Sequence, residues 1–197
     1  MPCGKLSAVC LRAWSIGLLA AGAVLAGCGS SQPRSDAPTP TAQAAAFKGA
    51  PAALTALHAQ SNRLLPGGLA AFRARLASLN GYPVVVNKWA SWCGPCQIEF
   101  PAFQQASVKF GRQVAFIGLD ANDGDGSAAA FLHRYPVSYP SYTDPHSDIA
   151  QAYRASTYFP QTLFFSRDRH GDYVFDHAGP YESAAALEND IRRYVLR

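Results

Sequence analysis

The sequence has no run of lysine or arginine. Its formal net charge is only +4, and its 17 basic residues are scattered over 197 positions. Proteins that bind nucleic acids concentrate basic side chains in a patch or along one helix. The charge distribution therefore excludes nucleic-acid binding. The hydrophobic content of 49% is ordinary for a domain with a buried core.

Cysteine is scarce and unevenly placed. Three of the five cysteines lie within the first 28 residues, and only Cys93 and Cys96 follow. A zinc site built on a C-x-x-C pair usually needs a second pair or two closely spaced histidines. The histidines show no such spacing, which disfavours zinc, and we predict no metal and no cofactor. A redox dithiol and a purely structural disulfide are the remaining interpretations of the pair.

No apolar run of the sequence is long enough for a comfortable membrane span. Residues 16–26 are uninterrupted apolar or small residues, preceded by Lys5 and Arg12, and no acidic residue occurs before Asp36. A span needs about 20 apolar residues, whereas the apolar part of a signal peptide is shorter. We predict that residues 1–27 are a signal peptide.

This run ends in the order Leu-Ala-Gly-Cys at Cys28. The order resembles the cleavage site of bacterial lipoproteins, which implies that Cys28 carries lipid and anchors the chain to a membrane. The alternative is an ordinary secretory signal in which Cys28 is incidental. Apart from Phe47, residues 28–47 are polar, small or proline, a composition that we expect cannot bury an apolar face. We therefore predict a disordered tether over 28–47 and a folded domain over 48–197.

The folded part alternates between two hydrophobic periods. Residues 54–65 give only a weak helical pattern. Spacings of three and four predict helices over 69–79, 128–135, 149–153 and from Ser183, whereas apolar and β-branched runs predict strands over 84–89, 114–119, 162–166 and 173–177. A further helix is predicted to begin at Cys93. This order predicts an α/β fold with a central mixed sheet flanked by helices.

The position of the C-x-x-C pair favours redox chemistry. The free N–H groups and positive dipole end of a helix N-terminus stabilise a thiolate. Cys93 would occupy the exposed end of that helix and attack a partner disulfide, and Cys96, one turn further, would resolve the mixed disulfide. Gly94 and Pro95 allow the tight turn that brings the two sulfur atoms together.

The stretch Trp-Ala-Ser-Trp-Cys-Gly-Pro-Cys at residues 89–96 resembles the active site of thioredoxins, in particular the exported TlpA and ResA type. The resemblance covers residues 68–197, and Pro101 matches the kinking proline of the family. It implies a thioredoxin fold in which residues 120–148 form the extra strand and helix of that type. It also implies a thiol–disulfide oxidoreductase, in which Trp92 shields Cys93.

The segment from Tyr158 to Phe165 resembles the part of thioredoxin folds that carries a cis-proline before a strand. By this resemblance Pro160 is cis, packs against the disulfide and presents its backbone neighbours to the substrate peptide. Phe159 would then line the peptide-binding surface together with Trp92. A trans-proline at the first residue of a strand is the alternative for Pro160.

Three residues, Asn87, Lys88 and Phe159, depart from the thioredoxin pattern. Asn87 stands where thioredoxins carry a buried Asp, although the membrane-tethered type has Asn there. The acid–base role would then pass to Glu99, three residues after Cys96, where the ResA type also has Glu. An ordinary solvated carboxylate is the alternative for Glu99.

Lys88 departs from the pattern in a different way, because relatives place a hydrophobic residue, often Phe, at this position of the central strand. Its side chain either extends to the solvent along its aliphatic stem or lies near Glu99 or the thiols. The residues leave both possibilities open.

Other motifs carry less weight. Residues 120–126 are acidic but do not fit the calcium loop of an EF-hand, so we interpret them as a solvated loop. The tyrosines at 135, 139 and 142 fit core and turn positions better than a partner surface. A peroxiredoxin needs Thr three residues before its reactive Cys, and Ala90 stands there. A non-catalytic binding lipoprotein would not need the intact dithiol.

The resemblance implies substrates and partners as well. The expected substrates are disulfides of exported proteins, such as apocytochrome c, on the extracytoplasmic face of a bacterial membrane. Electrons would come from a membrane thiol carrier. The Gly94–Pro95 dipeptide, shared with thioredoxin at about −270 mV, favours the reducing direction. Oxidation of exported proteins is the alternative, and we expect a monomer.

Overall fold

The computed structural model describes residues 39–155, 157–168 and 171–197. The predicted signal peptide, Cys28 and the first part of the predicted tether lie outside these residues, as does part of the predicted turn at 168–171. Among the described residues, no helix has the length and apolar character needed to cross a bilayer.

A six-stranded sheet forms the centre of the described part of the chain. Its strands are β1 (Leu64–Leu65), β2 (Val84–Trp89), β3 (Ala115–Ala121), β4 (Ser141–Asp144), β5 (Gln161–Phe165) and β6 (Phe175–Ala178). They are ordered β1-β4-β3-β2-β5-β6. The first four in this order pair in parallel, and β5 is antiparallel to both β2 and β6. The predicted mixed sheet is therefore confirmed.

Seven helices accompany the sheet in the described residues. They are α1 (Pro40–Phe47), α2 (Ala52–His58), α3 (Gly68–Ser78), α4 (Gly94–Phe110), α5 (Asp125–Arg134), α6 (Asp148–Ala152) and α7 (Ala184–Tyr194). Both α5 and β4 lie within the predicted insertion at 120–148. This arrangement is a thioredoxin fold, as the resemblance implied.

The sheet is buried on both faces, because alternate residues of β2 enter different cores. Val85 and Trp89 pack with side chains of α4, α5 and α7. Val84 and Val86 pack with side chains of α2, α3 and α6. A strand covered on both faces explains the continuous apolar run that the sequence shows.

The prediction of a disordered tether was wrong for residues 40–47, which form α1. Thr39 caps this helix by accepting a hydrogen bond from the Ala42 N–H at 3.2 Å. The alanines of the segment favour a helix on their own. Phe47, the last residue of α1, stacks on His58 with ring centroids 3.6 Å apart. The folded domain therefore begins earlier than the sequence indicated.

One short strand escaped prediction. Leu64 and Leu65, within the weak helical pattern of 54–65, form β1 and pair with Ser141 and Tyr142 of β4. Tyr142 lies in β4 and not in a turn. β1 has only two residues, and strands of this length leave no alternating pattern in a sequence.

Candidate active site

The dithiol lies where β2 ends and α4 begins. Cys93 is the N-cap of α4, and its Sγ accepts a hydrogen bond from the Cys96 N–H at 3.1 Å. Pro95 lies in the first turn, where a missing N–H leaves no intrahelical bond unmade. Since free N–H groups and the positive dipole end face this sulfur, the site favours a thiolate at Cys93.

Cys93 and Cys96 form a disulfide whose Cα atoms are 5.3 Å apart. Cys93 retains 3% of its surface, and Cys96 retains none. The expectation that Cys93 occupies an exposed position was therefore too strong, because it belongs to the same core cluster as Trp89 and Phe100. Cys93 is still the more accessible of the two cysteines.

Glu99 lies on the buried side of α4, one turn after Cys96. The alternative interpretation, a solvated carboxylate, is therefore wrong. Its Oε2 accepts a hydrogen bond from the Tyr181 N–H at 3.2 Å, whereas its Oε1 has no partner among the described residues. Burial raises the pKa of Glu99 to about 8, and the Tyr181 N–H and the nearby Asn87 amide lower it by less. The group is therefore a buried acid that can take up or release a proton near neutral pH.

Asn87 faces the same side of the sheet as Glu99. It is fully buried in β2 and pairs across the strands with Gly118 and Thr162. Its amide lowers the pKa of both Glu99 and Tyr139. Among the described residues, however, neither atom of the amide makes a hydrogen bond of normal geometry. Asn87 thus adds a polar but uncharged surface beneath the dithiol.

The Phe159–Pro160 peptide bond is cis, as the resemblance implied. Pro160 is buried directly before β5. Phe159 is half-buried and lies against Trp92, with ring centroids 4.8 Å apart. Trp92 is 56% exposed. The two aromatic residues predicted to bind substrate therefore form one surface beside the dithiol.

Lys88 is fully buried, which excludes the extension to solvent that the sequence left open. Its Nζ lies 3.7 Å from the centroid of the Phe159 ring and has no hydrogen-bond partner in the described structure. Burial lowers the pKa of Lys88 to about 8, and the charge of Asp144 opposes this shift. Lys88 thus supports the aromatic surface from the face of the sheet opposite Glu99.

The loop after β3 braces the dithiol loop, a role that the sequence interpretation of 120–126 as a solvated loop missed. Asp123 accepts hydrogen bonds from the Ser91 N–H and, at 3.0 Å, from the Ser91 hydroxyl. The Trp92 indole N–H donates to the Asn122 carbonyl at 2.9 Å. An acidic residue 32 positions away gives no local signal of such contacts.

A second buried acid, Asp120, lies at the end of β3 opposite Trp89. Burial, with smaller contributions from Asp123, Asp125 and Asp144, raises its pKa to about 8. Within the described ranges, no group of three or more His, Cys, Asp or Glu side chains is arranged to hold a metal ion.

The site brings together most of the residues that the sequence singled out. Cys93, Cys96, Glu99 and Asn87 meet between β2 and α4, and the Trp92–Phe159 surface lies beside them. Cys28 lies outside the described residues. A dithiol at a helix N-terminus with a cis-proline before the antiparallel strand defines a thioredoxin-like redox domain.

The chain belongs to the AhpC/TSA family, whose profile matches residues 68–172, or 105 of the 197 residues. Among curated proteins it is 30% identical over 105 residues to the thiol-disulfide oxidoreductase ResA of Halalkalibacterium halodurans, covering 53% of this chain and 58% of that protein. It is 27% identical over 122 residues to ResA of Bacillus thuringiensis, covering 61% and 68%.

A solved structure from Chlorobium tepidum, assigned as a thiol:disulfide interchange protein DsbE, matches with a TM-score of 0.55 and 27% identity. The match covers 60% of this chain and 83% of that one. These similarities confirm the predicted resemblance to the TlpA and ResA type.

Proposed function

We propose that this chain is a thiol–disulfide oxidoreductase that exchanges disulfides with exported proteins through Cys93 and Cys96. The observation that carries the proposal is the disulfide at the N-terminus of α4, one turn from the buried carboxyl group of Glu99. The names of the ResA relatives support the same activity. The alignments span only 58% and 68% of those relatives, so the activity rests on the site itself.

In the reducing direction, the reaction begins with both cysteines reduced. The Cys93 thiolate, stabilised by the helix N-terminus, attacks a sulfur of the substrate disulfide. The other substrate sulfur leaves and takes up a proton. Cys96 then loses its proton and attacks Cys93 Sγ, which forms the Cys93–Cys96 disulfide and releases the second substrate thiol.

Glu99 accepts the proton that Cys96 loses. A base works best when its pKa is close to the working pH, and burial raises the pKa of Glu99 to about 8. Asn87 supports the group without adding a charge. Gly94 and Pro95 keep the two sulfur atoms within bonding range.

The substrate peptide binds beside Pro160. Its backbone pairs with the residues next to the cis-proline, and its side chains pack on Phe159 and Trp92. The exposed Trp92 and the half-buried Phe159 offer aromatic area at low cost in side-chain entropy.

We further propose that the chain is exported by residues 1–27 and anchored by lipid on Cys28 to the extracytoplasmic face of a bacterial membrane. Its substrates would be exported proteins, including apocytochrome c, with electrons from a membrane thiol carrier. The Gly94–Pro95 dipeptide supports the reducing direction. The monomeric state is part of the same proposal.

The deciding measurement is the reduction potential of the Cys93–Cys96 pair in residues 39–197, equilibrated in defined thiol buffers. A value near about −270 mV supports a reductase, and a value near about −120 mV reverses the direction to disulfide formation. The Cys96→Ser variant should accumulate a mixed disulfide through Cys93, and Cys93→Ser should form none. A pair that cannot be cycled would contradict the proposed activity.

Peroxide reduction is the second activity that this fold supports. Ala90, fully buried three residues before Cys93, cannot supply the hydroxyl group that a peroxiredoxin places there. We expect no hydrogen peroxide consumption above that of a solvent-exposed thiol. A rate several orders of magnitude higher would favour the peroxidase instead.

A further inference from the structure

One short connection touches both functional parts of the site. We define the β6–α7 connection as Gly179, Pro180 and Tyr181. The Gly179 N–H donates to the carbonyl of the cis-proline Pro160 at 3.0 Å. Two residues later, the Tyr181 N–H donates to Glu99 Oε2 at 3.2 Å. The same segment therefore contacts the proposed peptide-binding loop and the proposed proton acceptor.

The side chain of Tyr181 fixes this connection to α7. Its hydroxyl donates to Asp190 Oδ2 at 2.7 Å, and the residue is only 2% exposed. The ring stacks on His177 at 4.1 Å and packs edge-on against Phe103 at 6.1 Å. Gly179 has a φ of +98°, which favours glycine and allows the chain to turn here. The connection is thus held at the ring of Tyr181 and turned at Gly179.

No other hydrogen bond of normal geometry reaches the Glu99 carboxyl group from the described residues. The titratable groups that face it are Tyr139, Tyr181 and the cysteines of its own helix. Both tyrosines have their pKa raised by burial and stay protonated in the neutral range. The cysteines do not titrate while they form the disulfide. The direction of the Tyr181 N–H is therefore the main adjustable influence on Glu99.

We infer that Tyr181, anchored by Asp190, is a positioning residue that holds the β6–α7 connection with one amide on Glu99 and another on the Pro160 carbonyl. The inference rests on the proposed function, because it assigns this connection a role in proton acceptance and in peptide binding. A carboxylate accepts a stronger hydrogen bond than a neutral carboxyl group. Proton uptake by Glu99 therefore loosens the connection at the step that follows substrate attack.

The Tyr181→Phe variant keeps the ring and removes only the hydroxyl bond to α7. Asp190→Ala removes the same bond from the other end, and Asp190→Asn retains an acceptor there. We expect the first two variants to behave alike and Asp190→Asn to resemble the wild type. Tyr142→Phe, which removes a hydrogen-bonded hydroxyl from a buried tyrosine of the other core cluster, is the matched control and should leave the Glu99 pKa and the KM unchanged.

Two readouts follow the two amides. The first readout is the pKa of Glu99, measured by NMR from its carboxyl carbon signal in the oxidised protein. This pKa should be higher in Tyr181→Phe and Asp190→Ala than in the wild type, because the carboxylate loses a donor. The KM for a peptide disulfide should rise by about fivefold, the equivalent of one ordinary hydrogen bond, with kcat at the optimal pH nearly unchanged. The basic limb of the exchange rate should shift to higher pH, and Glu99→Gln should abolish that shift.

A folded Tyr181→Phe protein with an unchanged Glu99 titration and an unchanged KM would overturn the inference. Circular dichroism and urea unfolding establish that the variant is folded. Failure of the proposed function is distinguishable, because in that case the wild-type dithiol itself would not exchange with the peptide disulfide. Exchange by Glu99→Gln at the wild-type rate would remove only Glu99 as the proton acceptor. The NMR titration then still decides whether Tyr181 positions the amide.

Discussion

The two faces of the sheet beneath the dithiol each bury one ionisable group, and the contacts of these two groups differ. On the α4 face, Glu99 receives one backbone hydrogen bond and lies one turn from Cys96. On the opposite face, Lys88 has an aromatic ring against its ammonium group and no hydrogen-bond partner in the described residues. Burial shifts the pKa of each group to about 8 from opposite directions.

This difference shows how one strand end can serve two tasks. The acid has access to a proton donor in the dithiol and a backbone amide that adjusts it. The base has neither, and its contact is with Phe159 of the proposed peptide-binding surface. We therefore assign proton transfer to the α4 face and support of the aromatic surface to the Lys88 face.

The largest expected effect is the pH dependence contributed by Glu99. Between its ordinary pKa of 4.5 and its folded value of about 8, the folded protein keeps a proton that the unfolded chain has released. The free energy of unfolding therefore falls as pH rises through this window, by up to about 5 kcal/mol. Glu99→Gln should remove this contribution, as measured by urea unfolding of the oxidised form at a series of pH values.

Asp120 contributes a similar fall of the unfolding free energy with rising pH, since burial also raises its pKa to about 8. The single variant should therefore flatten part of the curve, and Glu99→Gln combined with Asp120→Asn should flatten most of it. Glu182→Gln, at an exposed position, is the control and should keep the full slope. An unchanged slope in Glu99→Gln would show that this carboxyl group is not a buried acid.

Lys88→Met should give the next largest effect, with the opposite sign. At pH 7 the variant removes a buried charge that lacks a hydrogen-bond partner, and we expect a gain of about 2 kcal/mol in unfolding free energy. The folded pKa is about 8 and the ordinary value is 10.5, so wild-type stability should rise with pH across this window. The advantage of the variant should shrink accordingly by pH 10.

The matched control for this change is Lys48→Met, at an exposed position. It should alter the unfolding free energy by less than about 0.5 kcal/mol. A loss of stability in Lys88→Met would mean that the contact with Phe159 outweighs the cost of burying the charge.

Phe159→Leu tests the contact itself. Loss of the ring should cost about 1 to 2 kcal/mol through the missing cation–π interaction, beyond the loss of apolar area. In the Lys88→Met background this extra cost should disappear, which a double-mutant cycle measures. Phe175→Leu, a half-buried ring stacked on Tyr194, controls for the area. A cycle with no coupling would remove Lys88 from the support of Phe159.

The smallest expected effect is the coupling between the two faces. Glu99 and Lys88 lie on opposite sides of the sheet and share no partner in the described structure. The Glu99→Gln and Lys88→Met changes should therefore add to within about 0.5 kcal/mol. A larger coupling would mean that the two faces do not act separately.

Glu99 and Lys88 also show which features of the site could not be predicted from the sequence. The apolar run at 84–89 and the helix from Cys93 are local patterns, and both were predicted. The cis form of Pro160 followed from the resemblance. The burial of Glu99 depends on Tyr181, 82 residues later, and the position of Lys88 depends on Phe159. Contacts between distant segments leave no periodic signal.

The misplaced domain boundary has a local cause. Residues 40–47 have no alternating apolar face, so periodicity indicated a tether. Alanine propensity, the Thr39 cap and the packing of Phe47 on His58 together stabilise the helix. Of these, only the propensity and the cap were readable in the sequence. The boundary between the predicted signal peptide and the tether, after residue 27, stays a prediction.

The brace between Trp92 and Asn122 has a practical consequence for spectroscopy. Trp92 is held at the surface beside the disulfide, whereas Trp89 is fully buried three residues earlier. Disulfide quenching and an aqueous quencher such as iodide should act on the emission of Trp92, and iodide should not reach Trp89. In residues 39–197, iodide should therefore separate the emission of the exposed Trp92 from that of the buried Trp89, which shares a core cluster with both cysteines.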